Sequence, residues 1–217
     1  MNQGDYVQYG CGWCAPESWL NFDASPTLRF ERIPVIGRFY TKNKSRFPEN
    51  VRYGDITKGL GIPTGQCRGV YCSHVLEHLA LKDCRRALRN THALLARGGI
   101  FRFVLPDFEK HVSDYTSSPS PDAVSCFMRE TYLGVEKRNR SLKGFLVQWL
   151  GGSQHLRMWD YKALEQELVT AGFVDIRRAL YGDSSDPRFS EVEEETQLGC
   201  VRETGRGFDF KLNSVVI

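Results

Sequence analysis

Residues 69–107 constrain the fold more than any other part of the chain. They contain two short apolar runs, 69–72 and 100–105, of the kind that forms buried strands, and only Arg102 interrupts the second. Between the runs, four apolar residues and one threonine recur at helical spacing. These are Leu81, Cys84, Leu88, Thr91 and Leu95. The pair Gly98-Gly99 predicts the end of this helix and a tight turn before the second strand.

Strands that are apolar on nearly every residue are typical of a parallel sheet covered on both faces, and a helix between them predicts a right-handed crossover. Ligands of such sheets bind at the carboxyl ends of the strands. In this chain those ends lie at Ser73-His74 and Pro106-Asp107, where polar side chains follow the apolar runs. The sequence therefore predicts an α/β domain whose binding site lies near these residues.

The rest of the chain supplies further elements of such a domain. Five more strands are predicted, at residues 5–9, 19–23, 51–53, 173–181 and 197–203. The last of these is expected to be the antiparallel edge partner of the one before it. Asp160 is the expected N-cap of a helix over residues 161–171, which Gly172 closes.

Residues 108–159 depart from this pattern of strands and helices. Ser-Pro repeats are followed by an aromatic and basic segment, which predicts an inserted helical lid over the strand ends. A chain of 217 residues suits one domain. We expect that domain over residues 1–203, followed by a tail, 204–217, for which no element is predicted.

The segments SHVLEHL (residues 73–79) and LLARGGIFRFVLPD (residues 94–107) resemble class I S-adenosylmethionine-dependent methyltransferases, in particular a small bacterial, type 11-like group. The resemblance extends from about residue 7 to residue 203. It implies a Rossmann-like, mostly parallel sheet with an antiparallel last strand and a helical lid. It also implies methyl transfer, with S-adenosyl-L-methionine as the cofactor.

By this resemblance, the ends of the first two strands bind one part of the cofactor. Gly10, Cys11 and Gly12 follow the first strand, and a glycine there lets the backbone approach the amino-acid part closely. Asp23 ends the second strand, and its carboxylate can accept hydrogen bonds from both ribose hydroxyls.

The ends of the next two strands are expected to complete the cofactor site. Asp55 and Ile56 follow the third strand, where the family usually contacts the adenine. Ser73 and His74 are expected to border the methionine end through their backbone groups. Together with the two glycines and Asp23, these residues follow the strand order that the family requires.

The glycine motif differs from the family pattern at two places. Gln8 or Tyr9 occupies the position of an acidic residue, and Cys14 occupies that of a third glycine. The connection from Gly12 to Trp19 is also too short for the usual helix. These differences leave open a non-catalytic binding protein that keeps the methyltransferase fold.

The acceptor side is predicted from the chemistry of the reaction. The sulfur leaving group needs no acid, so the main task of the protein is to hold the acceptor and the methyl group in line. A hydroxyl acceptor also needs a base. The resemblance makes His155 the first candidate, followed by Asp107 and His111, although each could instead fix a loop. A sugar or other small-molecule or glycan hydroxyl is the expected acceptor, by analogy with the family.

Two other motifs suggest different chemistry. Cys11 and Cys14 form a Cys-x-x-Cys pair, but neither a second ligand pair for zinc nor a thioredoxin-like pattern accompanies it. His74, Glu77 and His78 match the His-x-x-Glu-His motif of zinc hydrolases, which must lie within one long helix. Here His74 directly follows a strand, and a third ligand is not obvious. A redox pair and a zinc hydrolase are therefore minor alternatives, and no metal is expected.

Composition limits the classes of partner and the cellular compartment that we expect for this protein. A net charge of +3 does not indicate a nucleic-acid partner, and the basic residues between Arg129 and Lys143 fit either an anionic acceptor or a solvated surface. The seven cysteines form no disulfide framework, so we expect them to be reduced, as in the cytoplasm. The first predicted strand begins near the N-terminus, so we expect no signal peptide, and no apolar run approaches a membrane span.

Overall fold

Short apolar runs form the strands of one sheet in the computed structural model, which describes residues 5–35, 37, 46–134, 154–193 and 214–216. The strands are β1 (Tyr6–Tyr9), β2 (Leu20–Asp23), β3 (Val51–Tyr53), β4 (Cys67–Ser73), β5 (Leu95–Val104), β6 (Arg177–Ala179) and β7 (Ser214–Val216). The helices are α1 (Pro26–Glu31), α2 (Leu81–Leu94), α3 (Phe108–Ser117), α4 (Ala123–Glu130) and α5 (Tyr161–Ala171). Two 3₁₀ turns lie at Leu76–His78 and Pro187–Glu191. Within the described residues, no helix combines the length and the apolar character that a membrane span requires.

The order of the strands identifies the switch point of the sheet. They lie in the order β3-β2-β1-β4-β5-β7-β6. The neighbours among β1 to β5 pair in parallel, whereas β7 runs antiparallel to β5 and β6. The chain builds outward from β1 to β3 on one side and from β4 on the other, so the switch point lies between β1 and β4. The predicted α/β, Rossmann-like, mostly parallel fold is confirmed.

Both predicted caps of α5 are confirmed. A carboxylate oxygen of Asp160 accepts a hydrogen bond of 2.8 Å from the N–H of Ala163 in the first turn. Gly172 follows the last residue of the helix with a φ of 103°, a left-handed conformation that favours glycine. The strand predicted next, at 173–181, is shorter in the structure and comprises only β6.

The tight turn predicted at Gly98-Gly99 is wrong. The helix α2 ends earlier, and β5 begins immediately after it, at Leu95. β5 then advances from Leu95 to Ile100 while its partner β4 advances only from Cys67 to Gly69. Gly98 has a φ of 75° within this irregularity. Its conformational freedom therefore serves a bulge in the strand and not the end of the helix.

Several predicted segments lie outside the described residues. They are the partner strand at 197–203, residues 135–153 of the lid, and most of the 204–217 tail. The described part of residues 108–159 contains α3 and α4, which pack against each other. Within the tail, β7 pairs with β5 and β6, so these residues form part of the sheet although no element was predicted there.

Apolar side chains cover both faces of the sheet. On one face, α2 and α5 enclose a core with strand residues that include Val7, Tyr9, Val70, Cys72, Phe101 and Phe103. The other face presents Tyr6, Trp19, Tyr71 and Val104, which pack against Phe189 and Val192. No helix connects β1 to β2, and the turn Pro187–Glu191 and the residue that follows it cover this second face instead.

Arg102, the polar residue within the apolar run of β5, fixes this covering segment. Its guanidinium is completely buried and forms ion pairs with Glu193 and, at 3.0 Å, with Asp183. It also donates a hydrogen bond of 2.6 Å to the carbonyl of Leu180. Burial lowers the pKa of Arg102, and the hydrogen bond to Asp183 opposes this effect. An arginine stays charged in such a site, so its three partners are needed to compensate the buried charge.

Arg102→Met should reduce the free energy of unfolding by about 3–5 kcal/mol, because it leaves the buried carboxylate of Glu193 without its cation. Urea denaturation measures this change. Arg97→Met is the matched control, since Arg97 is an exposed residue of the same strand. It should alter stability by no more than about 0.5 kcal/mol. Equal stability of the two variants would show that the Arg102 ion pairs do not hold the covering segment.

Candidate cofactor-binding site

The loop after β1 contains two glycines in the left-handed conformation. Gly10 has a φ of 67° and Gly12 a φ of 54°. A Cβ atom on Gly10 would lie 2.2 Å from Cγ2 of Val75, so the loop after β4 leaves no room for a side chain there. A Cβ atom on Gly12 would meet no atom within 4 Å. Gly10 is therefore required by packing, whereas Gly12 faces open space.

Side-chain amides fix the loop between β1 and β2. In the family that the sequence resembles, a helix makes this connection. Gln8 is buried in β1, and its amide donates hydrogen bonds to Oδ1 of Asn21 (2.6 Å) and to the carbonyl of Cys14 (2.7 Å). The Asn21 amide donates in turn to the carbonyls of Pro16 (2.9 Å) and Trp19 (3.0 Å). Gln8, which with Tyr9 is one of the two residues at the position of the acidic residue in the family pattern, thus fixes the short connection.

Asp23 joins the glycine loop to the end of β2. Its Oδ2 accepts a hydrogen bond of 3.0 Å from the N–H of Gly12, and its Oδ1 accepts one of 2.7 Å from the N–H of Ser25. The side chain is buried. Each carboxylate oxygen can accept a second hydrogen bond, so Asp23 keeps acceptor capacity while it positions the loop.

A cavity of about 390 Å³ opens at the carboxyl ends of β1 and β4, which is the switch point of the sheet. Five of its lining residues belong to the predicted cofactor site: Gly10, Cys11, Gly12, Ser73 and His74. The predicted residues Asp23, Asp55 and Ile56 are not among those that line it. Its volume lies in the range of small-molecule sites, about 300–1,000 Å³.

Sequence reasoning missed the other lining residues, which are Gln8, Trp13, Cys14, Tyr71 and Val192. The side chains of Gln8 and Tyr71 alternate with those of the apolar core along β1 and β4, and this two-residue period could have placed them on the other face. Val192 comes from the distant covering segment, so no local signal could have identified it.

Asp55 and Ile56 follow β3, two strands away from the switch point. Oδ1 of Asp55 accepts hydrogen bonds from the N–H (3.0 Å) and the hydroxyl (2.6 Å) of Thr57, and Oδ2 pairs with Lys58 at 2.9 Å. Burial raises the pKa of Asp55, but these bonds outweigh it and hold the pKa below its ordinary value. Ile56 is buried, and its carbonyl accepts a hydrogen bond of 2.7 Å from Asn90.

His74 connects the cavity wall to a buried group. It follows β4 with a φ of 52°, a conformation that is uncommon for a residue with a side chain. Its N–H donates a hydrogen bond of 3.0 Å to the carbonyl of Val104, and its Nδ1 lies 3.0 Å from Oε1 of Glu77. Glu77 is completely buried.

His155 lies beside the same carboxylate. Its Nε2 is 4.0 Å from Oε1 of Glu77, and its ring packs edge-on against that of His78, with 4.9 Å between the ring centroids. Burial lowers the pKa of His155, and the charge of Glu77 opposes this effect. The structure therefore brings His155, predicted as the base, together with Glu77 and His78 of the SHVLEHL segment.

The other two acceptor-side candidates lie at the start of α3: Asp107 precedes the helix and His111 is in its first turn. Oδ1 of Asp107 accepts a hydrogen bond of 3.1 Å from the N–H of Lys110, so this carboxylate caps the helix. Nδ1 of His111 lies 3.8 Å from Oε2 of Glu130 in α4. Neither residue lines the cavity at the switch point.

The Cys-x-x-Cys pair borders the cavity, and its two thiols do not form a disulfide. Burial raises the pKa of Cys11 to about 12, and the charge of Asp23 adds to this effect. A reactive redox cysteine has a lowered pKa, since the thiolate is the nucleophile. The environment of Cys11 has the opposite effect and does not favour redox chemistry.

Solved structures resemble this chain at low sequence identity. They include an S-adenosylmethionine-dependent methyltransferase from Archaeoglobus fulgidus, with 14% identity, a TM-score of 0.47, and 97% of this chain and 84% of the other covered. Another, from Thermotoga maritima, is described as a possible histamine N-methyltransferase, with 14% identity, a TM-score of 0.48, and 100% and 82% covered. Likenesses at this level carry no inference about substrate or activity. Comparison with curated proteins gives no match.

A family model gives the more specific result. The model described as "Methyltransferase domain" matches residues 7–103. This range begins in β1, includes the glycine loop, Asp23 and the SHVLEHL segment, and ends within β5. Both walls of the cavity at the switch point come mainly from these residues. The family model therefore matches the same part of the chain that carries the sequence motifs, residues 7–103.

Proposed function

We propose that the protein transfers a methyl group from S-adenosyl-L-methionine to an acceptor. The observation that carries this proposal is the cavity between β1 and β4, lined by Gly10, Gly12, Ser73 and His74. The family match covers this part of the chain. The open space beside Gly12 suits a ligand that approaches the backbone closely. The alternative, a non-catalytic protein with this fold, would bind a ligand here without turnover.

The strand order supports the proposed assignment of the cofactor's parts. The strands β3, β2, β1 and β4 are parallel neighbours, so their carboxyl ends lie along one edge of the sheet. Ser73 and His74 would border the methionine end. Asp23 would accept the ribose hydroxyls with its remaining lone pairs, and Asp55 and Ile56 would lie toward the adenine. The bound cofactor supplies an electrophilic methyl group, and the protein supplies its orientation.

We further propose that residues 108–159 form a lid on the acceptor side and that the acceptor is a sugar or other small-molecule hydroxyl. The lid begins at the end of β5, the strand next to β4. His155 is the preferred residue for activating the hydroxyl, because it reaches the cavity wall through Glu77 and His74. Asp107 and His111 are the next candidates. The cysteines of the described residues form no disulfide, which fits a reducing compartment such as the cytoplasm.

S-adenosylhomocysteine should raise the melting temperature of the protein, because it binds only the folded state. Asp23→Ala should weaken its binding by roughly 1–3 kcal/mol, since the ribose hydroxyls lose their acceptor. Calorimetry measures the affinity of the wild-type protein and of Asp23→Ala for S-adenosylhomocysteine. Asp122→Ala is the control, because Asp122 is exposed and its side chain makes no capping bond. Neither heat nor a melting shift at millimolar ligand would count decisively against the proposed function.

Gly12→Ala should weaken cofactor binding, whereas Gly65→Ala should not. Both glycines have a positive φ, 54° and 70°, and a Cβ on either meets no atom of the protein within 4 Å. Alanine should therefore destabilise the protein at both positions by roughly 1–2 kcal/mol, for the same backbone reason. Only the Cβ at position 12 would enter the cavity. Equal affinity of the two variants for S-adenosylhomocysteine would place the ligand elsewhere.

His155→Ala should reduce methyl transfer to an acceptor roughly 10²–10⁴-fold while leaving cofactor affinity nearly unchanged. The reason is positional, because His155 does not line the cavity but contacts Glu77 behind its wall. Turnover and S-adenosylhomocysteine affinity are measured on the same sample. His92→Ala, which changes an exposed histidine of α2, is the control. If turnover is unchanged in His155→Ala, Asp107 becomes the preferred residue.

A further inference from the structure

A carboxylate and two imidazoles converge behind the cavity wall. Glu77 and His78 belong to the 3₁₀ turn after β4, and His155 belongs to the segment that precedes α5. One nitrogen or oxygen atom from each residue lies within 4.8 Å of the other two. In the His-x-x-Glu-His motif the two histidines, His74 and His78, would be the ligands, and the sequence offered no obvious third one. The fold instead brings His155 to Glu77 and His78.

The carboxylate of Glu77 has unused acceptor capacity. The side chain is completely buried, and among the described residues no hydrogen-bond donor reaches its Oε2. Its other oxygen lies 3.0 Å from Nδ1 of His74. A buried oxygen without a partner costs roughly 1–3 kcal/mol, so its retention needs a reason. A cation bound at this oxygen would provide one.

One hydrogen bond of His78 leaves its other ring nitrogen available as a ligand. Its Nδ1 lies 3.1 Å from the carbonyl of Gln154, which can only accept, so Nδ1 carries the proton. The remaining nitrogen, Nε2, therefore has a free lone pair. Metal-binding histidines are commonly fixed in this way, with one ring nitrogen donating to a carbonyl and the other binding the ion.

Backbone hydrogen bonds hold the distant ligand in place. The carbonyl of Glu77 accepts from the N–H groups of Leu156 (2.8 Å) and Arg157 (3.1 Å). These bonds attach the segment containing His155 directly to the 3₁₀ turn. The three side chains are thus positioned by the fold, although they are far apart in the sequence.

We propose that Glu77, His78 and His155 bind one divalent transition-metal ion, with Zn²⁺ as the best match. Two histidines and one glutamate are a known ligand set for zinc sites that keep a fourth position open. Bonds of about 2.0–2.2 Å place tetrahedral ligands roughly 3.4 Å apart. The largest separation in the cluster, up to 4.8 Å, must therefore close by up to about 1.4 Å, which rotations of the side chains would supply.

The ion would lie on the acceptor side of the cavity, since His74 both lines the cavity and contacts Glu77. A metal in this position would lower the pKa of an acceptor hydroxyl as a Lewis acid, and His155 would then act by holding the ion and not by accepting the proton. This consequence rests on the proposed function. Metal binding itself does not, because it can be measured without cofactor or acceptor.

Metal content provides the primary test. The full-length protein, equilibrated with Zn²⁺ and desalted, should retain one equivalent, and Zn²⁺ should raise its melting temperature. Co²⁺ should give the visible absorption of a site with fewer than six ligands. His155→Ala and Glu77→Gln should each weaken zinc binding at least 10–100-fold. His92→Ala should retain the full equivalent.

The thiols near the cavity require a second control. Cys11→Ser combined with Cys14→Ser should keep the zinc, because neither thiol belongs to the cluster. The proposal is overturned if folded wild-type protein retains no Zn²⁺ at micromolar concentration. It is also overturned if zinc is lost in the cysteine variant and kept in a folded His155→Ala. If an alanine variant fails to fold, His78→Gln replaces it, because glutamine preserves much of the side-chain volume. This variant should also lose the zinc.

Discussion

The close approach of the loops that follow β1 and β4 determines the geometry of the candidate site. The two strands pair in parallel, with Val7 beside Val70, so both loops leave the sheet at the same edge. Val75 fills the space that a side chain on Gly10 would need. Only glycine permits this contact, which brings the two walls of the cavity together. His74, and Glu77 behind it, are positioned by the same loop.

The short connection between β1 and β2 has consequences for the whole domain. Without a helix there, Tyr6, Trp19 and Tyr71 would present an apolar surface, and Phe189 and Val192 cover it instead. Burial of large aromatic side chains contributes roughly 1.5–3 kcal/mol each. The buried Arg102 fixes the covering segment through Glu193. Residues 7–103 carry the family motifs, but one face of their sheet is completed by residues from the other end of the chain.

The elements that local chemistry specifies could be predicted from the sequence. The apolar runs identified the central strands, and Asp160 with Gly172 delimited α5. Gly98 was misassigned because a glycine with positive φ serves a strand bulge as well as a helix end, and the sequence alone does not distinguish them. Pairing across the fold was not predictable. Nothing near Arg102 indicates Glu193, and the partner strand β7 comes from a tail with no recognisable pattern.

In the candidate site too, local features could be predicted from the sequence, whereas contacts between distant segments could not. Gly10, Gly12 and His74 could be found because a ligand at a switch point needs backbone access directly after the strands. His155 was predicted for the acceptor side, but its contact with Glu77 depends on backbone bonds between segments that are distant in the chain. His74 connects the two parts. Its left-handed conformation costs roughly 1–3 kcal/mol, and bonds to Val104 and Glu77 maintain it. Since His74 lines the cavity and its imidazole contacts Glu77, a ligand that moves this residue also disturbs the buried cluster.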